Sequence, residues 1–348
     1  MKTKFHIDDA LLIETLEREY EIDVEDFYFL PKGDSAYGYI IKSTHGNKFF
    51  MKLYDSSTSS GKDRIKDLDT YLPLIYEMKK RELFKYLTFP YKNRWGNFST
   101  DLGFAVVILF NYIEGRTLEN DYPFTVEIEK KIAHTLARLH GATPFLDIKA
   151  SRTEGFETTY LDSLKVYLFY LNDPGEKSNQ YIDMLRDYIL PRREIIYEFA
   201  QRLQQYQRQS KKLLADGMTD MVVSHGDVWG GNIIIDNGGN LNLIDWESTM
   251  IAPAERDIKN YIGEHFDSFL EEYERALGRK VNLYTHILGY YVYNSHLSNL
   301  TNWIKRILFE NKSEEQNLSD MDCIMNHCMN RWADAEETLK NLSPILEN

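Results

Sequence analysis

The sequence is short of cysteine, of long apolar runs and of positive charge. Its two cysteines, Cys323 and Cys328, flank His327; they are too few for a disulfide framework and supply no second pair for a zinc site. The longest uninterrupted apolar run, Phe104 to Phe110, is far too short to span a bilayer. Lys and Arg number 41 against 54 Asp and Glu, a formal net charge of −13, so nucleic acid and anionic membranes are excluded as expected partners. The first residues, Met1 to Tyr20, carry acids throughout and no apolar core, which predicts no signal peptide. The expectation is a cytosolic protein with reduced thiols. No internal repeat, Pro-rich linker or low-complexity tail interrupts the chain.

What is present is a globular composition, 43% apolar and 14% aromatic, over 348 residues, enough for two lobes with large cores. The stretch Met221 to Ile258 organises the rest. It contains His225, Asp227 and Asn232 in the spacing H-x-D-x-x-x-x-N, then two strand-like runs, Asn232 to Ile235 and Leu241 to Ile244. Asp236 to Asn240, D-N-G-G-N, separates them and reads as a hairpin turn. A hairpin returns its second strand beside its first, which brings Asn232 close to Asp245 with Asp227 just before them. Such oxygens suit phosphoryl transfer. Mg²⁺ takes hard oxygen ligands and needs only one or two from protein when phosphates supply others. Asn232 and Asp245 are the candidate metal ligands, and Asp227 can accept or orient the proton of an attacking hydroxyl. Protein kinases share the H-x-D-x-x-x-x-N spacing. Here, however, Trp246-Glu247 follows Asp245 where a protein kinase has Phe-Gly, and no activation segment is visible.

On these residues the stretch resembles the aminoglycoside phosphotransferase and choline kinase superfamily. Asp245 to Asp257, DWESTMIAPAERD, is most similar to its spectinomycin phosphotransferase branch. The resemblance implies an α+β, bilobal, protein-kinase-like fold. Residues 1–113 would form a small antiparallel β N-lobe and residues 114–348 a larger, mostly helical C-lobe. It implies ATP (or GTP) and Mg²⁺ as cofactors, with the nucleotide between the lobes and a small, cationic molecule as acceptor. An aminoglycoside or aminocyclitol antibiotic is the first expectation. Choline, another amino alcohol or a sugar is the rival, and a non-catalytic protein of the same fold is the alternative from another class. Oligomeric state is left open.

Taken in order, Ile7 to Tyr20 reads as a helix that Asp8 can cap, followed by strands at Val24 to Leu30, Tyr39 to Lys42 and Lys48 to Tyr54. The Gly33 to Gly38 loop lies where the family covers phosphates, and Ser35 could add a hydroxyl. By resemblance, Lys52 on the third strand binds the α- and β-phosphates and pairs with a helix carboxylate. Asp67, Asp69 and Glu77 are the candidates for that partner, with Asp69 favoured by spacing. Pro73 fits a first helical turn, which predicts a helix beginning near Thr70, and Asp55 to Asp63 reads as a polar loop. Leu87 to Tyr91 and Phe104 to Phe110 read as the last strands of the lobe. The resemblance then makes Asn111 to Gly115 the hinge, with backbone groups of Asn111 and Ile113 on adenine.

Beyond it, Thr125 to His140 is an amphipathic helix whose His140 is expected to be structural. Thr158 to Gly217 reads as mostly helical, broken near Asn172 to Gly175 and at Pro191. Asp245 to Arg275 holds nine acids and three bases, an acidic stretch from which Glu247 and Glu255 are candidate contacts for a cationic substrate. The aromatic-rich remainder, Tyr284 to Leu342, is expected to be helical, with tyrosines and tryptophans either in the core or facing a sugar-like ring.

Overall fold

The computed structural model describes residues 4–31, 36–149, 151–173, 175, 179–311 and 313–346. Helix α1 (Asp9–Tyr20) starts where Asp8 accepts a hydrogen bond from the Ala10 N–H. Strands β1 (Val24–Leu30), β2 (Tyr37–Ser43) and β3 (Lys48–Asp55) follow as an antiparallel meander. Period-2 alternation on β3 sends Met51 and Leu53 into a core with Leu12, Leu16, Ile41 and Leu109, and leaves Lys52 and Tyr54 on the opposite face.

Helix α2 (Ser59–Lys80) departs from the expected start near Thr70. Its cap is Thr58, whose Oγ1 accepts from the Gly61 N–H at 3.0 Å, so part of the Ser-rich segment expected as a loop is helical. Pro73 lies inside the helix, not in its first turn. The N–H it lacks is outweighed by the buried face of Leu68, Tyr71, Leu72, Ile75 and Met78. The expected strand at Leu87 to Tyr91 is also absent as such. That segment makes only isolated bridges, Leu87 to Leu243 and Pro90 to Phe110, and the sheet takes β4 (Thr100–Asp101) as its edge instead. With β5 (Ala105–Asn111) the sheet order is β1-β2-β3-β5-β4, antiparallel throughout.

A short β6 (Gly115–Thr117) precedes helix α3 (Val126–Gly141), which Thr125 caps and which buries Ile132, Leu136 and Leu139. His140 is buried and its Nδ1 lies 2.6 Å from the Tyr273 hydroxyl, a structural histidine as expected. Helices α4 (Tyr160–Asn172), α5 (Gln180–Ile189) and α6 (Arg193–Ala215) come next, with breaks where Asn172 to Gly175 and Pro191 predict them. Strands β7 (Met221–Ser224), β8 (Ile233–Asp236), β9 (Leu241–Leu243) and β10 (Met250–Pro253) carry the organising stretch. β7 pairs with β10, and β8 lies between β6 and β9. The chain finishes with α7 (Glu255–Ile258), α8 (Phe266–Leu277), α9 (Thr285–Lys305), α10 (Glu314–Asp322) and α11 (Trp332–Leu346). Among the described residues no helix is long and apolar enough to cross a membrane.

Two compact units result. The first comprises residues 1–153, 222–252 and 268–279; the second comprises 154–221, 253–267 and 280–348. The first therefore takes in β8 and β9 as well as the N-terminal sheet, and does not stop at residue 113. The second is helical. In it Phe199 stacks on Tyr293 and on Trp332, each with ring centroids 4.1 Å apart, and Tyr290 and Tyr291 are also buried, so these aromatics build core. Among the described residues neither cysteine forms a disulfide, and Cys328 is buried.

The β6–β8 pairing places Gly115 opposite Asp236. A Cβ on Gly115 would fall well inside contact distance of the Ile235 carbonyl oxygen, and neither backbone can swing aside without breaking the pair. Gly115→Ala should therefore lower stability by about 1–3 kcal/mol in denaturant titration; an unchanged midpoint would show that β6 does not approach β8 so closely.

Candidate active site

The site lies within the first unit and is built on one loop and one hairpin. Strand β7, buried along Val222 to Ser224, delivers His225 to its end. His225 is fully buried. Its Nε2 is 2.9 Å from the Ile244 carbonyl oxygen, and its Nδ1 accepts the Asp227 N–H at 3.3 Å. This pattern makes His225 neutral with the proton on Nε2, a tautomer assigned from its partners. The ring packs edge-on against Trp246, centroids 4.6 Å apart. His225 thus ties the loop carrying Asp227 to the residue just before Asp245.

Asn232 completes the tie. Its Nδ2 donates to the Asp227 backbone oxygen at 2.9 Å and to Asp227 Oδ2 at 2.8 Å. Its own carbonyl oxygen accepts from the Ile244 N–H at 3.0 Å. Asp227 is exposed while Asn232 is buried, so a fixed amide holds a carboxylate open to solvent. Gly230 is needed between them: its N–H donates to the Tyr122 hydroxyl at 2.8 Å, and a Cβ there would strike the Leu118 carbonyl group. Asp245 sits in the left-handed region at φ 65°, which a non-glycine residue adopts at a cost of roughly 1 kcal/mol or more.

Lys52 reaches this loop from β3. Its Nζ is 2.8 Å from Asp245 Oδ1 and 2.6 Å from Glu247 Oε1. Burial pulls the ammonium pKa down, but the charges of Asp245 and Glu247 pull it up by more, and it ends well above its ordinary value. Burial likewise works to raise the Glu247 carboxyl. The Lys52 charge, hydrogen bonds from Lys52 and Tyr54, and the Arg64 charge overcome it and hold Glu247 well below the usual range.

Asp227, Asn232 and Asp245 are therefore connected through one network of bonds, and Lys52 joins it through Asp245. The oxygens fit a hard divalent cation. Asn232 has its amide hydrogens on Asp227, which leaves Oδ1 as its acceptor, and Asp245 keeps Oδ2 beyond the Lys52 contact, with 40% of its side chain exposed. Among the described residues no group of three or more His, Cys, Asp or Glu would hold a metal ion unaided. The pair suits Mg²⁺ that arrives with phosphate oxygens.

Other expected residues fall elsewhere. Asp69 is exposed on α2 and is not the partner of Lys52; the helix begins eleven residues earlier than Thr70, so Asp69 lies within it and not at its mouth. Glu247 is buried and paired with Lys52, Tyr54 and Arg64, so it is not a surface acid for a cationic substrate. Asn111 ends β5 and directs its Oδ1 to the Phe89 N–H at 2.7 Å and its own N–H to the Phe89 carbonyl at 3.3 Å; Ile113 follows, half-buried. Ser35 lies outside the described residues. Tyr54, Arg64, Arg152 and Tyr122 went unseen in the sequence. Only Tyr54 left a signal, two residues beyond Lys52 and so on the same strand face.

Residues 91–287 match the family described as "Phosphotransferase enzyme family". No curated protein sequence matches the chain. Among solved structures the chain is similar to spectinomycin phosphotransferase APH(9)-Ia in complex with ADP and spectinomycin, at 18% identity and TM-score 0.76, covering 97% of this chain and 98% of that one. It is similar to the amicoumacin kinase hAmiN in complex with AMP-PNP and Ca²⁺, at 10% identity and TM-score 0.58, covering 97% and 95%. It is also similar to the choline kinase LicA from Streptococcus pneumoniae, at 17% identity and TM-score 0.54, covering 96% and 99%. The fold is thus kinase-like, an antiparallel N-terminal sheet followed by a mostly helical region.

Glu255, the other expected substrate contact, is buried in the second unit and accepts the Tyr284 N–H at 2.9 Å. Burial pushes its carboxyl up to about 7, with a smaller contribution from Asp220. A raised acid contributes stability that is complete below the unfolded value and is lost as pH rises through the folded one. Glu255→Gln keeps the amide acceptor and removes the titration. The variant should gain on the native protein between pH 5 and 9 by on the order of 3 kcal/mol. Parallel stability–pH curves would show that Glu255 is ionised without penalty.

Proposed function

Because the chain belongs to the phosphotransferase enzyme family, we propose that it transfers the γ-phosphoryl group of ATP to a hydroxyl of a small, cationic molecule, an aminoglycoside or aminocyclitol antibiotic. The observation that carries this reading is the Asn232 amide holding the exposed Asp227 carboxylate at 2.8 Å, beside the Lys52–Asp245 contact. Asp227 accepts a hydrogen bond from the acceptor hydroxyl and takes its proton as the oxygen attacks phosphorus. The bond from the γ-phosphorus to its bridging oxygen breaks, and ADP leaves. Lys52 binds the α- and β-phosphates, and adenine takes backbone groups of Asn111 and Ile113. Mg²⁺ on Asn232 and Asp245 would neutralise charge on the phosphates. Rate enhancement then comes chiefly from positioning and electrostatics.

The formal charge of −13 favours a cationic acceptor. The likeness to a structure holding spectinomycin supports an aminocyclitol, with resistance as the physiological role. The likeness to a choline kinase at nearly the same identity supports an amino alcohol as the second reading. An ATP-consumption screen against spectinomycin, aminoglycosides, choline, ethanolamine and sugars separates them. Nucleotide binding without turnover on any acceptor would favour a non-catalytic protein.

Asp227→Asn should lower transfer by about 10²–10⁴-fold while ATP binding stays nearly unchanged. Full activity in that variant would remove Asp227 from the mechanism.

A further inference from the structure

The two carboxylates on Lys52 are unlike each other. Asp245 has 40% of its side chain exposed, Glu247 only 6%. Glu247 Oε1 also accepts the Tyr54 hydroxyl at 2.6 Å, and its Oε2 lies 3.5 Å from Arg64 Nε. Glu247 is therefore fixed by two residues of one strand face and by a cation from α2. The acids of α2 are engaged or turned elsewhere: Asp67 accepts from Arg152 at 2.7 Å, Glu77 lies on Arg81, and Asp63 and Asp69 are exposed. Arg152 also donates to the Glu247 and Thr249 carbonyl oxygens, at 2.6 and 3.1 Å, which clamps the backbone of the loop carrying Glu247.

From this geometry we propose that Glu247 is the positioning residue of Lys52. It holds the ammonium where nucleotide phosphates meet it, and α2 contributes a cation, Arg64, in place of a carboxylate. Resting on the phosphotransferase reading above, the proposal gives the two acids of the D-x-E sequence separate tasks. Asp245, partly exposed, is left to the metal; Glu247, buried, serves the lysine. Both lie on one short loop clamped by Arg152, so a few covalent bonds join the two carboxylates that meet Lys52, while α2 supports the arrangement through Arg64 on Glu247 and Asp67 on Arg152.

The test measures binding of MgATP and of adenosine, which lacks phosphates, to the full chain. Glu247→Gln should weaken MgATP about tenfold and leave adenosine unchanged, since only Lys52's contact with phosphate is disturbed. In a Lys52→Met background the same substitution should cause no further loss, because Glu247 acts through Lys52. A merely structural role would weaken both ligands together, or would persist without Lys52; either result overturns the proposal. Should Glu247→Gln fail to fold, Tyr54→Phe removes one bond to Glu247 and should give a smaller loss of the same kind, again absent without Lys52. Wild-type protein that binds no MgATP would overturn the phosphotransferase reading itself. Wild-type binding matched by undiminished binding in both variants would sink only the role of Glu247.

Discussion

One buried ammonium constrains this structure more than any other group. Lys52 has only 13% of its side chain exposed, on a strand whose other face is apolar core. An ion taken out of water costs several kcal/mol unless charge and hydrogen bonds replace what water supplied. Here the replacement is Asp245 and Glu247, from a loop nearly two hundred positions away in sequence. Their presence fixes where that loop lies against β3. Glu247 in turn is buried and needs its own partners, which Tyr54 and Arg64 supply. A set of charges this mutually dependent tolerates little movement. Removing one member of a buried pair leaves its partner uncompensated, at about 3–5 kcal/mol.

The loop carrying Asp227 is locked by hydrogen bonds to two uncharged side chains, His225 and Asn232. His225 and Asn232 both bond to the segment around Ile244, and both also bond to Asp227. The exposed carboxylate is therefore held by its backbone and by one oxygen, and among the described residues its other oxygen has no hydrogen-bond partner. Asp245 occupies a left-handed conformation that its surroundings must enforce. The histidine contact at Ile244 on one side and the Lys52 contact on the other hold it there.

Much of this was legible along the chain. The spacing of His225, Asp227 and Asn232, and the D-N-G-G-N turn after them, predict the hairpin that the structure has, since turn residues and period-2 runs are local signals. The first helix and the first three strands were legible for the same reason. Helix α2 was not. Pro73 suggested a start that burial of Leu68, Tyr71 and Leu72 overrides, and a serine-rich stretch that reads as loop holds the Thr58 cap. The segment Leu87 to Tyr91 has strand-like residues but meets β5 only around Phe110, in a single bridge at Pro90, whose missing N–H shortens any ladder there. For Lys52 the sequence points to a partner on the nearest helix, Asp67, Asp69 or Glu77. The partners are Asp245 and Glu247, the latter expected from the sequence as a contact for a cationic substrate.

Residue order alone accounts for the inventory and the short-range geometry. A lysine in an apolar strand, an H-x-D-x-x-x-x-N loop and an acid after a hairpin follow from spacing, because backbone turns and strand periodicity depend on neighbours only. Which charges meet depends on long-range packing. Asp69 and Glu247 are both acids within reach of a plausible role, and nothing local distinguishes them. Burial does: the long-range packing of β3, α2 and the loop after β9 dehydrates Glu247 beside Lys52 and leaves Asp69 in water. The strength of a charge pair depends on the medium around it, and that medium exists only once the chain has folded.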